Sequence, residues 1–133
     1  MKIDHIGIAT SGIAEVADFY REALGLNIED VEEVAEQKVR VAMLPIGESR
    51  IELLEPTTSD SPISKFLAKR GPGIHHVAIQ VEDLRESLRK LKQEGARLID
   101  EEPRRGAGGC LVAFVHPSST GGVLVELVEN HEQ

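Results

Sequence analysis

Four residues of this 133-residue chain have the types and spacing that metal chemistry requires: His5, Glu52, His76 and Glu126. The two histidines lie in short β-branched runs, residues 3–9 and 76–81, and each glutamate interrupts an apolar run, residues 50–54 and 123–128. Alternate residues of a strand face opposite sides. His5 therefore shares its face with Ile3, Gly7 and Ala9, and His76 shares its face with Ala78 and Gln80, which implies a hollow in front of each imidazole. A carboxylate embedded in apolar strand is costly unless a cation, a metal or a proton donor meets it. The histidines are 71 residues apart and the glutamates 74, so the four occupy matched places in two copies of one unit. Two imidazoles and two carboxylates make a mixed N₂O₂ set for one divalent transition ion, with water completing an octahedron. Positions left open by the protein point to catalysis, because a structural site would be closed.

The elements that must position these groups repeat in the same way. After the first strand, Ile13, Val16, Ala17, Tyr20 and Leu24 recur at helical spacing in a segment that Ser11 opens and Gly25 stops, followed by strand-like residues 26–31, 38–45 and 50–54. The order β, α, β, β, β then returns. Residues 76–81 lead to Asp83, an N-cap candidate with Glu86 three residues later, and to Leu84, Leu88 and Leu91 on one helical stripe that ends at Gly95. Residues 96–100, 110–116 and 123–128 complete the copy. Between the copies, residues 57–60 form a linker, and Ser61-Pro62 supplies the N-cap and N1 pair of a short helix through Arg70. The expected fold is α+β: two tandem βαβββ modules forming one domain over 1–133, a curved, barrel-like mixed β-sheet enclosing the metal site. Module one covers about 1–56, the linker and short helix about 57–72, and module two about 73–130.

Composition narrows the partners. With 23 Asp and Glu against 15 Lys and Arg, the chain carries a formal charge of −8, which argues against nucleic acid and anionic membrane surfaces. No apolar run approaches spanning length, and the charged first residues lack a signal core, so a cytoplasmic location is expected. The lone Cys110 cannot form an internal disulfide and is expected to be inert. Other residues have bland readings beside sharp ones. His75 points away from the face of His76, which suits packing or an outer-shell hydrogen bond. His116, before Pro117, reads as a turn residue at the end of a strand. The glycines of segment 106–109 lack the context of a phosphate loop and suit a flexible flap. Lys65, Lys69, Arg70, Arg104 and Arg105 suit either a solvated surface or a patch for an anionic substrate tail.

The repeated unit with His5, Glu52, His76 and Glu126 resembles the vicinal oxygen chelate superfamily over essentially the whole chain. Within it the chain is most similar to the methylmalonyl-CoA epimerase family. The likeness lies in Ile3-Asp4-His5-Ile6, Asp60-Ser61-Pro62-Ile63, Gly73-Ile74-His75-His76-Val77-Ala78, the glycines of 106–109, His116-Pro117 and Gly121-Gly122-Val123-Leu124-Val125-Glu126-Leu127. It implies a homodimer that interconverts (R)- and (S)-methylmalonyl-CoA by metal-assisted α-proton abstraction and reprotonation through an enolate-like intermediate. The substrate would be an acyl-CoA and the cofactor one divalent ion, Co, Mn, Ni or Zn. His5, Glu52, His76 and Glu126 would be its ligands, with Glu126 also transferring a proton. Two departures stand out. Some relatives carry a second glutamate in the third strand where the expected alignment of this chain has Arg40, which leaves Glu48, a nearby loop or metal-bound water for the opposite face; Glu52 stands where some relatives carry an amide. The alternatives in the same superfamily are a glyoxalase I-type lactoylglutathione lyase, a non-catalytic bleomycin-resistance-type binder, which the 3% aromatic content disfavours, and an extradiol dioxygenase, which needs only two His and one carboxylate.

Overall fold

The isoleucine-rich run at the start of the chain forms β1 (Lys2–Ala9), the first element of a computed structural model that describes residues 1–130. The last three residues of the expected 1–133 domain lie outside the described residues. Two compact units result, one of residues 5–75 and one of residues 1–4 together with the chain from His76 onward. In the first, α1 (Ile13–Asp18) leads through β2 (Asp30–Val34), β3 (Val39–Ile46) and β4 (Ser49–Pro56) to α2 (Pro62–Arg70). In the second, β5 (Gly73–Gln80) is followed by α3 (Leu84–Gln93), β6 (Arg104–Arg105), β7 (Leu111–Val115) and β8 (Val125–Glu129).

The strand order is β2-β3-β4-β1 in the first unit and β6-β7-β8-β5 in the second. Hairpin neighbours run antiparallel, whereas β1 pairs with β4, and β5 with β8, in parallel. The parallel pairs follow from the helical crossover that separates each first strand from its sheet. The βαβββ order is thus present twice, and the class is α+β.

The repeat extends into the packing. Ile13, Ala42, Leu44 and Leu53 build the core under α1. Leu84, Ala113, Val115 and Leu127, which stand 71 or 74 residues further on, build the core under α3. Even the helix starts match: Glu55 accepts a hydrogen bond from the Ile13 amide at 2.7 Å, and Glu129 accepts one from the Leu84 amide at 2.7 Å. A carboxylate at a helix N-terminus satisfies an orphan amide and favours the positive end of the helix dipole.

Two expected strands lie elsewhere, for one reason. Residues 26–31 and 96–100 were expected as strands, but Leu26 and Ile28 turn into the first core, and Leu98 packs on the second. The ladder begins only at Asp30 in β2, while Leu98 makes a single bridge to Val115 and β6 forms at Arg104–Arg105. Apolar residues in each copy fill the space between helix and sheet, and the more polar stretch after them makes the edge strand. The first helix also widens after Asp18, where the Leu24 amide reaches back to the Phe19 carbonyl at 3.0 Å. The short middle helix starts as expected, with Ser61 accepting from the Ile63 amide at 3.1 Å. Ahead of it, Lys38 binds Asp60 at 2.5 Å and pulls that carboxyl down to about 2. Among the described residues, no helix is long and apolar enough to cross a membrane.

The paired helix-start contacts can be tested directly. Glu129→Ala should lower stability by about 1 kcal/mol, the usual cost of losing a helix cap, measured as a lower urea midpoint with an unchanged slope.

Candidate metal centre

Parallel pairing of β1 with β4 places Gly7 opposite Glu52 and His5 opposite Arg50. Ile51 and Leu53 pack toward α1, so alternation turns Arg50 and Glu52 to the other face of the sheet, the face of His5. Both groups are buried, with 4% of His5 and 3% of Glu52 exposed. His5 Nε2 stands 3.4 Å from Glu52 Oε1. The second unit repeats the arrangement. Ala78 lies opposite Glu126 in the β5–β8 ladder, Leu127 packs toward α3, and His76 Nε2 stands 3.0 Å from Glu126 Oε1, again with both groups buried.

These separations suit a metal. Two donor atoms, each about 2.1 Å from one ion, stand about 3.0 Å apart at a right angle and about 3.4 Å apart at the tetrahedral angle. Each buried His–Glu pair therefore offers one imidazole nitrogen and one carboxylate oxygen as adjacent ligands, a donor mixture suited to first-row divalent ions.

The surroundings of the two pairs differ, and sequence patterning alone did not bring out the difference. Glu52 Oε2 accepts a hydrogen bond from Arg50 Nε at 3.0 Å. The position that matches Arg50 in the second copy is Leu124. Glu126 instead faces Phe114 across the β7–β8 ladder, where the first copy has Met43 opposite Glu52. The Phe114 ring meets His76 edge to face at 5.7 Å. It is held in turn by Asp100, which accepts from the Phe114 amide at 2.9 Å, and by the Arg104 guanidinium over its face. Arg104 Nε also stands 3.1 Å from an Asp100 oxygen. Arg50 was legible as a residue two places from Glu52 in a strand; Phe114 needed the ladder register.

Comparison with known proteins places this architecture. A model of the glyoxalase/bleomycin resistance protein/dioxygenase superfamily matches residues 4–114. The chain belongs to that superfamily. Within it, the mouse mitochondrial methylmalonyl-CoA epimerase is 38% identical over 127 residues, 95% of this chain and 71% of its own length. The ethylmalonyl-CoA/methylmalonyl-CoA epimerase of Cereibacter sphaeroides is 37% identical over 95% of this chain and 96% of its own. A Streptomyces coelicolor methylmalonyl-CoA epimerase variant, solved with 2-nitronate-propionyl-CoA, superposes with a TM-score of 0.95 at 41% identity, covering 98% of this chain and 95% of its own. By contrast, the lactoylglutathione lyase of Escherichia coli O157:H7 is 24% identical over 99% of this chain and 95% of its own.

Against that superfamily frame, the position suspected of lacking a third-strand glutamate needs correction. Arg40 lies opposite Glu55, on the helix side of the sheet, where its guanidinium binds the Glu55 carboxylate and reaches Glu33 at 3.7 Å. The β3 residues on the face of Glu52 are Val39, Val41, Met43 and Pro45, none of which can exchange a proton. Glu48 lies exposed in the turn between β3 and β4.

The bland readings account for most of the other tempting groups. His75 packs edge to face on Phe66 at 5.0 Å, with Arg70 over the same ring. His116 Nδ1 accepts from the Ser118 amide at 3.0 Å and so starts a turn. The Cys110 thiol meets the Asn130 amide oxygen at 2.7 Å, and Asn130 Nδ2 donates to Gln80 at 3.0 Å. In the glycine segment, Gly106 is buried so closely against β7 that a Cβ there would stand 2.7 Å from Val112 Cγ1. That glycine serves packing. Gly106→Ala should cost about 1–3 kcal/mol of stability through overpacking, seen as a lower thermal midpoint, whereas Ala107→Gly beside it should cost much less.

Proposed function

We propose that this chain is a methylmalonyl-CoA epimerase in which His5, Glu52, His76 and Glu126 together hold one divalent ion, Co, Mn, Ni or Zn, and Glu126 also transfers the proton. The observation that carries the reading is identity of 37–38% with epimerases over 95% of the chain, against 24% with a lactoylglutathione lyase over a similar span. The twofold occurrence of a buried His–Glu pair supports the ligand set, because coincidence would have to explain the same contact in both copies. A homodimer, implied by the family resemblance, and a cytoplasmic location, argued from the charged first residues, are part of the same proposal.

The substrate's reacting carbon lies between a thioester and a carboxylate, so its proton leaves when the developing negative charge can spread over those oxygens. A bound divalent ion would supply the positive charge that stabilises that spread. The chain's own contribution begins with Glu126. Its carboxylate, next to the His76 nitrogen and opposite Phe114, is a base fixed on a strand rather than on a mobile loop. Phe114 fixes the His76 ring by its edge contact, and its apolar surface excludes water from that side of the carboxylate. Loss of the proton leaves the carbon planar, and return of a proton from the opposite face inverts it. Since β3 offers no proton-transfer group on the face of Glu52, the candidates for that second group are Glu48, a nearby loop and water.

The test is incubation of the metal-loaded protein with (R)-methylmalonyl-CoA in deuterated water. Incorporation of α-deuterium together with racemisation is expected, and Glu126→Gln should slow both by about 10²–10⁴. Absence of exchange, combined with turnover of the glutathione–methylglyoxal adduct, would replace this reading with the lyase.

A further inference from the structure

The two ligand pairs are copies in register but differ in their neighbours, and one of the differences is a charge. Arg50 stands directly opposite His5 in the β1–β4 ladder and two residues before Glu52 on the same face. Its Nε donates to Glu52 Oε2 at 3.0 Å, while Glu52 Oε1 is the oxygen 3.4 Å from His5 Nε2. The two oxygens of one buried carboxylate are thus assigned to different partners. The Glu52 side chain is 4% exposed and that of Arg50 25% exposed, so the pair lies at the inner margin of the site, where charge interactions are screened far less than at the surface. In the second copy, Leu124 takes the place of Arg50.

Resting on the proposed function, we infer that Arg50 is a positioning residue that restricts Glu52 to a single metal-facing oxygen, and so keeps coordination positions open for substrate. Four side chains giving one atom each leave two of six positions on a first-row ion, enough for the two oxygens of a chelating substrate. A carboxylate free to turn can supply both of its oxygens and take one of those positions. The Arg50 guanidinium prevents this by holding Oε2 in a charge-assisted hydrogen bond. It also places a fixed positive charge beside the ion, which weakens metal binding through repulsion. Arg50 therefore trades metal affinity for substrate access, and its loss should move the two in opposite directions. Simple damage to the site would lower both.

The experiment compares the full chain with Arg50→Leu, which restores the residue of the other copy, with Arg50→Met as a second neutral variant that cannot donate, and with Arg50→Lys. Each is titrated with Co²⁺ by competition against a chelator, its Co²⁺ absorption spectrum is recorded, and KM and kcat are measured for (R)-methylmalonyl-CoA. In Leu and Met, Co²⁺ should bind about tenfold tighter, the scale on which outer-shell groups move metal affinity. Their spectra should change with the altered coordination, and kcat/KM should fall, mainly through KM. Lys, which keeps a cation and a donor, should return the affinity toward that of the parent. If the parent binds Co²⁺ and both neutral variants bind it with equal or lower affinity and an unchanged spectrum, the role of Arg50 is overturned while the proposed function stands. If the parent binds no ion, the proposed ligand set fails and the role of Arg50 fails with it.

Discussion

A carboxylate held against an imidazole inside an apolar sheet is the constraint on which this structure turns. Glu52 and Glu126 are each at most 5% exposed, and neither could remain there without partners that repay its lost hydration. The partner in each case is a histidine one strand away. The parallel pairing of β1 with β4 and of β5 with β8 makes that possible, because it brings residues far apart in sequence into the same stretch of one face. The helices belong to the same logic. α1 and α3 cover the opposite faces of the sheets, away from the His–Glu groups.

Duplication explains why so much of the molecule can be argued once and applied twice. Core residues, ladder partners and even the glutamates that receive the first amides of α1 and α3 recur at separations of 71 or 74 residues. Departures from the repeat are correspondingly informative. Met43 against Phe114 and Arg50 against Leu124 are differences in chemistry at matched positions beside the two carboxylates. They give the two buried carboxylates different surroundings. One is tied to a cation, and the other faces an aromatic wall that also steadies its histidine.

The βαβββ order, the helix starts at Ser61 and Asp83 and the His–Glu pairs were legible in the sequence, because each rests on a local signal: alternation, a capping side chain or a polar residue in an apolar run. The edge strands were not. Leu26, Ile28 and Leu98 have the composition of strand residues, and nothing local distinguishes an apolar residue that joins a ladder from one that fills the gap beneath a helix. The side to which Arg40 points was equally hidden, since one residue of register exchanges the two faces of a strand. Phe114 and Asp100 became part of the site only through strand pairing, a long-range property. Arg50 lay in plain view next to Glu52, but its meaning came from the missing arginine at the matched position.

The proposed ligand set has both His–Glu pairs serving one ion. Crystals grown with Co²⁺ and measured on either side of the cobalt absorption edge test it most directly. The account predicts a single anomalous peak bonded to the Nε2 atoms of His5 and His76 and to one oxygen each of Glu52 and Glu126. Two separate peaks, one at each pair, or cobalt bound only at the acidic surface, would contradict it.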